Sequence, residues 1–217
     1  SAAKNYSLHD TYEVKPVSAE DFSGYFMIGY NLGDGTLYVA IEITDNDYIS
    51  DTTRQASWNT QDGIELYLDI RHLTEGSGVA SYLYSETFKH INANKWDAAA
   101  RDANWEKVEV KMKKAGSKRS YEWKFSIGER LQPGRSIGFD MFAFDKDADS
   151  FGWNGWGYGE RKYQNSNALG DIILMNENEP GGTIAGEIMM TKPENSKVLP
   201  SMRFASVTSP QTWVTVL

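Results

Sequence analysis

The sequence predicts an all-β protein, an antiparallel β-sandwich of jelly-roll type with a short β extension at the C-terminus. Two observations lead to this prediction. Apolar and polar residues alternate with period two along most of the chain, which is typical of strands with one buried face. Turn sequences such as "NLGDGT", "KKAGSKRS" and "LQPGRS" separate the strands, at the spacing of about 8 to 12 residues that is common in sandwiches.

The predicted strands differ in how many of their faces are apolar. "TLYVAIEIT", "EKVEVKM" and "SYEWKFS" alternate strictly and predict half-exposed strands. "SIGFDMFAFD" is apolar on both sides, which indicates a central strand that is covered on both faces. In "WNTQDGIELYLDI" one side of the strand is clearly a core. The other side, with Glu65, is either a solvated face or the floor of a site that has Trp58 at its edge.

The chain changes character near residue 177. We expect residues 1–177 to form the sandwich, and residues 178–217 to form a linker followed by strand-like segments. The linker begins in "NENEPGGT". The strands after it either add to the sandwich or begin a second β domain, so we expect the chain to be part of a larger multidomain protein.

Composition excludes several classes of function. The formal net charge of -8 argues against a nucleic-acid partner, because backbone phosphates require a basic surface. The absence of cysteine excludes disulfides and thiolate chemistry. No apolar run of about 18 residues predicts a membrane span, and the beginning "SAAKNYSLHD" has no apolar signal core. We therefore expect no membrane insertion.

Motifs for catalysis are mostly absent. The histidines His9, His72 and His90 do not have metalloprotease spacing, and no nucleophile elbow or phosphate-binding glycine loop occurs. Glu65 and Asp140 are conceivable as the two carboxylates of a glycosidase. Acidic residues on strand faces usually serve solubility, so we expect that the protein is not an enzyme.

Two acidic segments suggest calcium. "DKDADS" places Asp145, Asp147 and Asp149 at alternate positions, and "DNDYISD" brings Asp45 and Asp47 directly after a strand. A hard cation requires several carboxylate and carbonyl oxygens that converge from a tight turn. The alternative is that both segments are solvated acidic turns. We expect that at least one of them binds calcium structurally.

Aromatic residues are concentrated in "FGWNGWGYGERKYQNSN", which reads as a loop. Rings in polar, glycine-rich sequence are typical of platforms for ligands that have an apolar face and hydroxylated edges. Asn, Gln, Glu and Arg side chains nearby would supply the hydrogen bonds that such hydroxyls need. The alternative is that some of these rings close the open end of the sandwich.

Four motifs in this order resemble those of the family 9 carbohydrate-binding modules: "LYVAIEITD", then Trp58 with "GIELYLD", then "IGFDMFAFDKD", and a closing "LGDIIL". The resemblance covers roughly residues 25–175. It implies a β-sandwich that binds sugars, typically at chain ends, between two aromatic rings, with calcium as a structural ion. Such modules accompany secreted glycosidases and other extracellular proteins, so the resemblance implies an extracellular or periplasmic location.

The resemblance also implies roles for individual residues. Trp58 matches the first of the two rings, and Glu65 matches an acid that bonds sugar hydroxyls, although "NTQD" between them is one residue longer than in better-characterised modules. Tyr163, or Trp156 further upstream, stands where the second ring is implied. "ASYLYS" has tyrosines where the family has an arginine. The complete set of expected ligand-binding residues is Trp58, Asn59, Gln61, Glu65, Tyr82, Tyr84, Trp153, Trp156, Arg161 and Tyr163.

We therefore expect a noncatalytic extracellular module that binds a carbohydrate, a hydrolase-associated domain by its resemblance. Two alternatives remain at this point. One is a sensor or assembly domain of a larger surface protein without a sugar ligand. The other is a haem-binding electron-transfer domain of related fold, with axial Met, His or Lys ligands.

Overall fold

Two antiparallel β-sheets pack face to face in the computed structural model of the 217-residue chain. The structure describes residues 21–72, 79–93, 103–156 and 166–174, together with the backbone of three strands at residues 6–7, 9–11 and 201–204. No helix in these described segments has the length and apolar character of a membrane span. The prediction of an antiparallel β-sandwich is confirmed.

The first sheet, sheet A, contains the strands β1 Tyr6–Ser7, β3 Phe22–Asn31, β4 Thr36–Asp45, β8 Val108–Ala115 and β9 Lys118–Ser126. Within the described residues these five strands are arranged in the order β1-β3-β4-β9-β8. Strands β4 and β9 alternate between buried residues and partly or fully exposed ones, as the period-two pattern predicts.

The second sheet, sheet B, contains the strands β2 His9–Thr11, β5 Gly63–Asp69, β6 Ala80–Tyr84, β7 Lys89–Ala93, β10 Ser136–Lys146, β11 Phe151–Gly155, β12 Gly170–Leu174 and β13 Ser201–Phe204. In the part of the chain that the structure describes, these eight strands follow the order β13-β12-β10-β5-β6-β7, with β11 pairing with β10 and β2. All neighbours are antiparallel except β12 and β13.

Strand β13 lies in the C-terminal part of the chain and is paired with a strand of the sandwich. Its backbone pairs in parallel with β12, from Ser201 opposite Asp171 to Phe204 opposite Leu174. This segment thus adds an edge strand to sheet B. The division of the chain at residue 177 itself remains a prediction.

The main core lies between the two sheets. It combines inward-facing residues of sheet A, such as Phe26 and Trp123, with inward-facing residues of sheet B, such as Leu66 and Phe139. Phe26 and Phe139 meet with ring centroids 5.5 Å apart. Burial of these apolar side chains on both inner faces supplies most of the stability of the sandwich.

A second apolar cluster lies on the face of sheet B that points away from sheet A, here called the outer face. Its buried members are Tyr67, Val79, Leu83, Phe142, Phe144 and Leu169. Every residue of β5 is buried as a result. Strand β10 is buried on both faces over nearly its whole length, which confirms the interpretation of "SIGFDMFAFD" as a central strand.

The segment "FGWNG" differs from its predicted form. The sequence indicates a loop from Phe151 onward, whereas residues Phe151–Gly155 form strand β11 and pair with β10 from Phe142 to Lys146. The acidic "DKDADS" segment comprises the last two residues of β10 and the hairpin turn that leads to β11. Antiparallel pairing accommodates the rings because Phe151 and Trp153 fall on the outer face, where they pack against the second cluster.

Candidate functional site

Trp58 lies at the edge of the outer face on the loop between β4 and β5. It is the one large hydrophobic side chain that is exposed among the described residues, with 40% of its surface accessible. Its indole packs on three other rings, with centroid distances of 5.3 Å to Phe151, 5.7 Å to Phe144 and 6.3 Å to Trp153. We call these four residues the aromatic patch. An exposed ring held on other rings is a rigid surface for an apolar ligand face.

Trp153, another expected ligand residue, lies beside Trp58 but does not face it across a gap. Their planes are inclined by 60° and their centroids are 6.3 Å apart, which is an edge-to-face contact without room for a sugar ring between them. A ligand on Trp58 would therefore use its exposed side.

The loop that carries Trp58 is fixed by hydrogen bonds at its base. The Asp62 carboxylate accepts hydrogen bonds from the backbone N–H of Ile49 at 2.5 Å and of Lys146 at 3.0 Å. The Asp62 N–H donates to the Ile49 carbonyl at 2.9 Å. These bonds tie the loop to the end of β10, so the position of Trp58 is set by the sandwich and not by the loop alone.

Gln61 is fully buried and belongs to the same anchoring network. Its Oε1 accepts from the Thr87 hydroxyl at 2.8 Å, and its Nε2 donates to the Ser57 carbonyl at 3.4 Å. The expected role of Gln61 in ligand contact is therefore replaced by a structural one in this arrangement. Asn59, next to Trp58, is exposed and accessible to a ligand.

Glu65 lies on the outer face of β5, opposite Phe142 in the register of β10, and is only 6% exposed. Its carboxylate accepts hydrogen bonds from the Tyr67 hydroxyl at 2.7 Å, the Ser81 hydroxyl at 2.5 Å and the Asn92 amide at 3.5 Å. A carboxylate has about four acceptor positions. Glu65 thus retains limited capacity for one further donor, such as a ligand hydroxyl.

Trp58 and Glu65 are linked along the outer face. Trp58 packs on Phe144, which pairs with Gly63, and Glu65 follows two residues later on the same strand. Two residues of a strand correspond to roughly 7 Å. The exposed ring and the polar group therefore lie on one surface, as the sequence suggests.

Three other expected ligand residues point to the opposite side of sheet B. Tyr82 pairs with Leu66 rather than with Glu65, so its side chain faces the inter-sheet core, and Tyr84 follows the same parity. The ring of Trp156 packs on Phe26 at 5.7 Å, also between the sheets. The structure does not bring these rings together with Trp58.

Leu83 is the β6 residue that shares a face with Glu65. Arg161 and Tyr163 lie outside the described residues.

A group of carboxylates lies at one end of the sandwich. Oxygens of Asp21, Asp145 and Asp147 lie within 4.8 Å of one another, and so do oxygens of Asp45, Asp62 and Asp145. We call these five residues the acidic edge. Arg119 is buried beside them, forming an ion pair with Asp45 and a second one with Asp62 at 3.5 Å.

Asp145 is the shared member of both groups and is 6% exposed. Burial, together with the neighbouring carboxylates of Asp147, Asp45, Asp62 and Asp21, raises its pKa to about 7. Burial likewise raises the pKa of Asp62 to about 7. Arg119 lowers the pKa of Asp62, but its effect is smaller than that of burial. The negative charge at this end of the molecule is therefore only partly compensated.

The expected metal ligands coincide with the acidic edge only in part. Asp45, Asp145 and Asp147 belong to it. Asp47 and Asp149 are exposed, and neither joins a cluster among the described residues. Within the "DKDADS" turn the Lys146 ammonium donates to the carbonyls of Asp147 and Ser150, which a calcium loop would leave for the ion.

Asp21 and Asp62 were not expected from the sequence. Asp21 directly precedes β3, Asp45 ends β4 and Asp62 directly precedes β5. In an antiparallel pair the end of one strand lies beside the beginning of its neighbour. Accordingly Phe22, at the beginning of β3, pairs with Asp45 at the end of β4. The sequence therefore contained a signal for this cluster, namely an acidic residue at the boundary of several strands.

These features define a β-sandwich domain with an exposed aromatic patch on one sheet and an acidic edge. A family model described as carbohydrate family 9 binding domain-like matches residues 1–177. The chain belongs to this family.

Solved structures agree with this assignment. A family 9 carbohydrate-binding module from Caldicellulosiruptor kristjanssonii in complex with cellotriose superposes with a TM-score of 0.64 at 17% identity, covering 80% of this chain and 83% of that chain. The structure from the same organism in complex with glucose has a TM-score of 0.64 at 16% identity, with coverages of 82% and 87%. At such identities the likeness establishes the fold. A comparison with curated proteins found no match.

Proposed function

We propose that this domain is a noncatalytic carbohydrate-binding module that holds a sugar on the outer face of sheet B, outside the cell or in the periplasm. Trp58 provides the surface for the apolar face of the sugar. Asn59 at its side and Glu65 further along the sheet provide hydrogen bonds to hydroxyls. Arg161 and Tyr163 remain predicted contributors from residues outside the described part of the chain.

The observation that supports this most is the state of Trp58. A tryptophan that is 40% exposed yet packed on three rings is held in place without being part of a core. Solvent-exposed apolar surface that is rigidly presented is typical of a binding site. The family supplies the ligand class, and the two solved structures in complex with cellotriose and glucose indicate which sugars to test first.

The experiment is a calorimetric titration with glucose, cellotriose and a panel of other glycans. We expect weak binding to at least one sugar, because one ring contact contributes about 1 kcal/mol. Trp58→Ala should lower the affinity by about fivefold, which corresponds to that contribution. Tyr38→Ala is the matched control, since Tyr38 is a partly exposed ring on sheet A. Absence of binding to every glycan, or equal loss in both variants, contradicts the proposal.

We also propose that the acidic edge binds calcium as a structural ion. The donor set consists of carboxylate oxygens, which a hard cation prefers. Asp145, with Asp21 and Asp147, is the most suitable centre because no hydrogen bond from a described residue reaches its buried carboxylate. A bound cation there would compensate the repulsion that raises the pKa of Asp145 and would join the ends of β3 and β10.

Thermal unfolding with and without calcium tests this second proposal. We expect calcium to raise the Tm and a chelator to lower it, because an ion that binds only the folded state stabilises it. Asp145→Asn should abolish the calcium response, whereas Asp149→Asn, an exposed residue of the same turn, should retain it. An unchanged Tm in calcium and in chelator would contradict the proposal without affecting the sugar site.

A further inference from the structure

A cavity of about 300 Å³ opens between the two sheets at the end of the sandwich opposite the acidic edge. It is lined by the last residues of β5 and the first of β6 on one side, and by the first residues of β8 and the last of β9 on the other. Asp62, in contrast, directly precedes the first residue of β5. The seven residues of β5 separate the two ends by roughly 20 Å.

The lining combines an apolar interior with a basic rim. Leu68, Tyr82 and Phe125 form part of the apolar wall, and Arg71, Lys107 and Arg130 contribute three positive charges. Among the described residues that line the cavity, none has a carboxylate or amide side chain. This concentration of positive charge occurs in a chain whose formal net charge is -8.

This chemistry does not favour a sugar. Sugar hydroxyls require acceptors as well as donors, and the side chains of the lining consist chiefly of donors and hydrocarbon. The cavity is also separated from the outer face by sheet B itself, because Leu68 and Tyr82 point inward while Glu65 points outward. A ligand suited to the cavity accepts hydrogen bonds at one end and is apolar elsewhere.

We propose that the cavity binds an organic monocarboxylate with an apolar body. The carboxylate lies at the rim near Arg71, Lys107 and Arg130, where charge-assisted hydrogen bonds are strong. The body lies between the sheets against Leu68, Tyr82 and Phe125. Arg71 and Arg130 also interact with other groups of the protein, so the ligand shares these cations and does not depend on their being vacant. A volume near 300 Å³ is at the lower end of ligand pockets.

The test is a titration of the isotopically labelled chain with sodium octanoate, followed by amide NMR shifts. We expect saturable shifts at Val108, Phe125 and Ile127, which line the cavity. The amide of Trp58 should not shift. 1-Octanol has the same apolar body without the charge, and it should bind at least about tenfold more weakly, since a hydrogen bond to a charged group contributes about 1.4 kcal/mol or more.

Two kinds of variant separate the charge from the cavity. Lys107→Gln combined with Arg130→Gln should weaken octanoate binding by about tenfold, while Lys113→Gln, an exposed lysine of β8 that does not line the cavity, should not. Ala103→Leu, which fills the cavity from its partly buried wall, should weaken octanoate and octanol alike. Trp58→Ala should leave octanoate binding unchanged whatever its effect on sugars.

The proposal would be overturned by any one of three results: no saturable shifts, equal affinity for octanoate and octanol, or shifts centred on Trp58.

Discussion

The two faces of sheet B contain the same kinds of residue in different states. On the inner face, Tyr82 packs against Phe125 and Tyr84 against Trp123 of sheet A, so these rings form part of the core. On the outer face, Trp58 rests on Phe144, Phe151 and Trp153 and remains 40% exposed. The same aromatic composition supports the core on one face and leaves an exposed aromatic surface on the other.

Polar groups show the same contrast. In the core between the sheets, the buried indole N–H groups of Trp105 and Trp123 have no hydrogen-bond partner among the described residues. The polar atoms of Glu65 and Gln61 each bond to at least two partners on or beside the outer face. The rings of the core therefore contribute by packing, whereas hydrogen bonds orient the polar groups of the outer face. Substitutions on the inner face should therefore affect stability, and those on the outer face should increasingly affect binding.

The largest expected effect is that of Trp123→Ala. Trp123 is 1% exposed and stacks on Phe125 at 5.7 Å with an angle of 3° between the rings. Its removal leaves a large cavity, and we expect the free energy of unfolding to fall by about 4 kcal/mol in denaturant titration. Trp123→Phe is the control: because the N–H has no partner in the described part of the chain, this change should cost far less. An equal loss in both variants would mean that the N–H contributes after all.

Next in size is Glu65→Ala. The change leaves the hydroxyls of Tyr67 and Ser81 without their acceptor in a buried site, so we expect a loss of about 2 kcal/mol of stability. Glu65→Gln preserves the shape and one acceptor and should recover part of the loss. Sugar affinity should decrease in both variants. A fully stable Glu65→Ala would show that Glu65 is not the centre of this network.

Gln61→Ala should have a smaller effect on stability, about 1 kcal/mol, because it removes neutral hydrogen bonds to Thr87 and Ser57. Its consequence for sugar binding should be measurable by calorimetry, since the loop would hold Trp58 less firmly. Thr87→Val tests the same hydrogen bond from the other side and should give a similar result. Thr52→Ala, an exposed position on the loop, should change neither quantity.

The smallest stability effect belongs to Trp58→Ala. A ring that is 40% exposed gives up less burial than a core ring, and we expect a loss of at most about 1 kcal/mol. Chemical denaturation of the same variant that is used for sugar titration measures this directly. If Trp58→Ala lowered the free energy of unfolding as much as Trp123→Ala, Trp58 would contribute to stability like a core residue. The distinction between the two faces would then not hold.

Much of the fold follows from alternation alone. The strands at Thr36–Asp45, Gly63–Asp69 and Ser136–Lys146 correspond to segments whose apolar residues recur with period two or run continuously. Strand β11 was not predicted, because glycine-rich sequence with mixed polarity has low strand propensity. Its pairing with β10 and the packing of Phe151 and Trp153 outweigh that propensity.

The candidate site was predictable in its composition and less so in its arrangement. Trp58 and Glu65 do share a surface, as the order of motifs suggests. The sequence alone could not separate Trp153 from Trp156, because both stand among glycines and asparagines. Parity within β11 directs Trp153 to the outer face, and the ring of Trp156 enters the core beside Phe26.

The sequence by itself determined that the chain is a β-sandwich and that β10 is covered on both faces, and it indicated acidic segments at the ends of β4 and β10. Hydrophobic periodicity is a local property, so it can be read without knowing the partners of a strand. Only the tertiary structure decided which strands are neighbours. It thereby decided that Leu83 and not Tyr82 accompanies Glu65, and that Asp21 and Asp145 meet at one edge. Pairing register depends on contacts between distant segments, and a shift of one residue reverses every side chain.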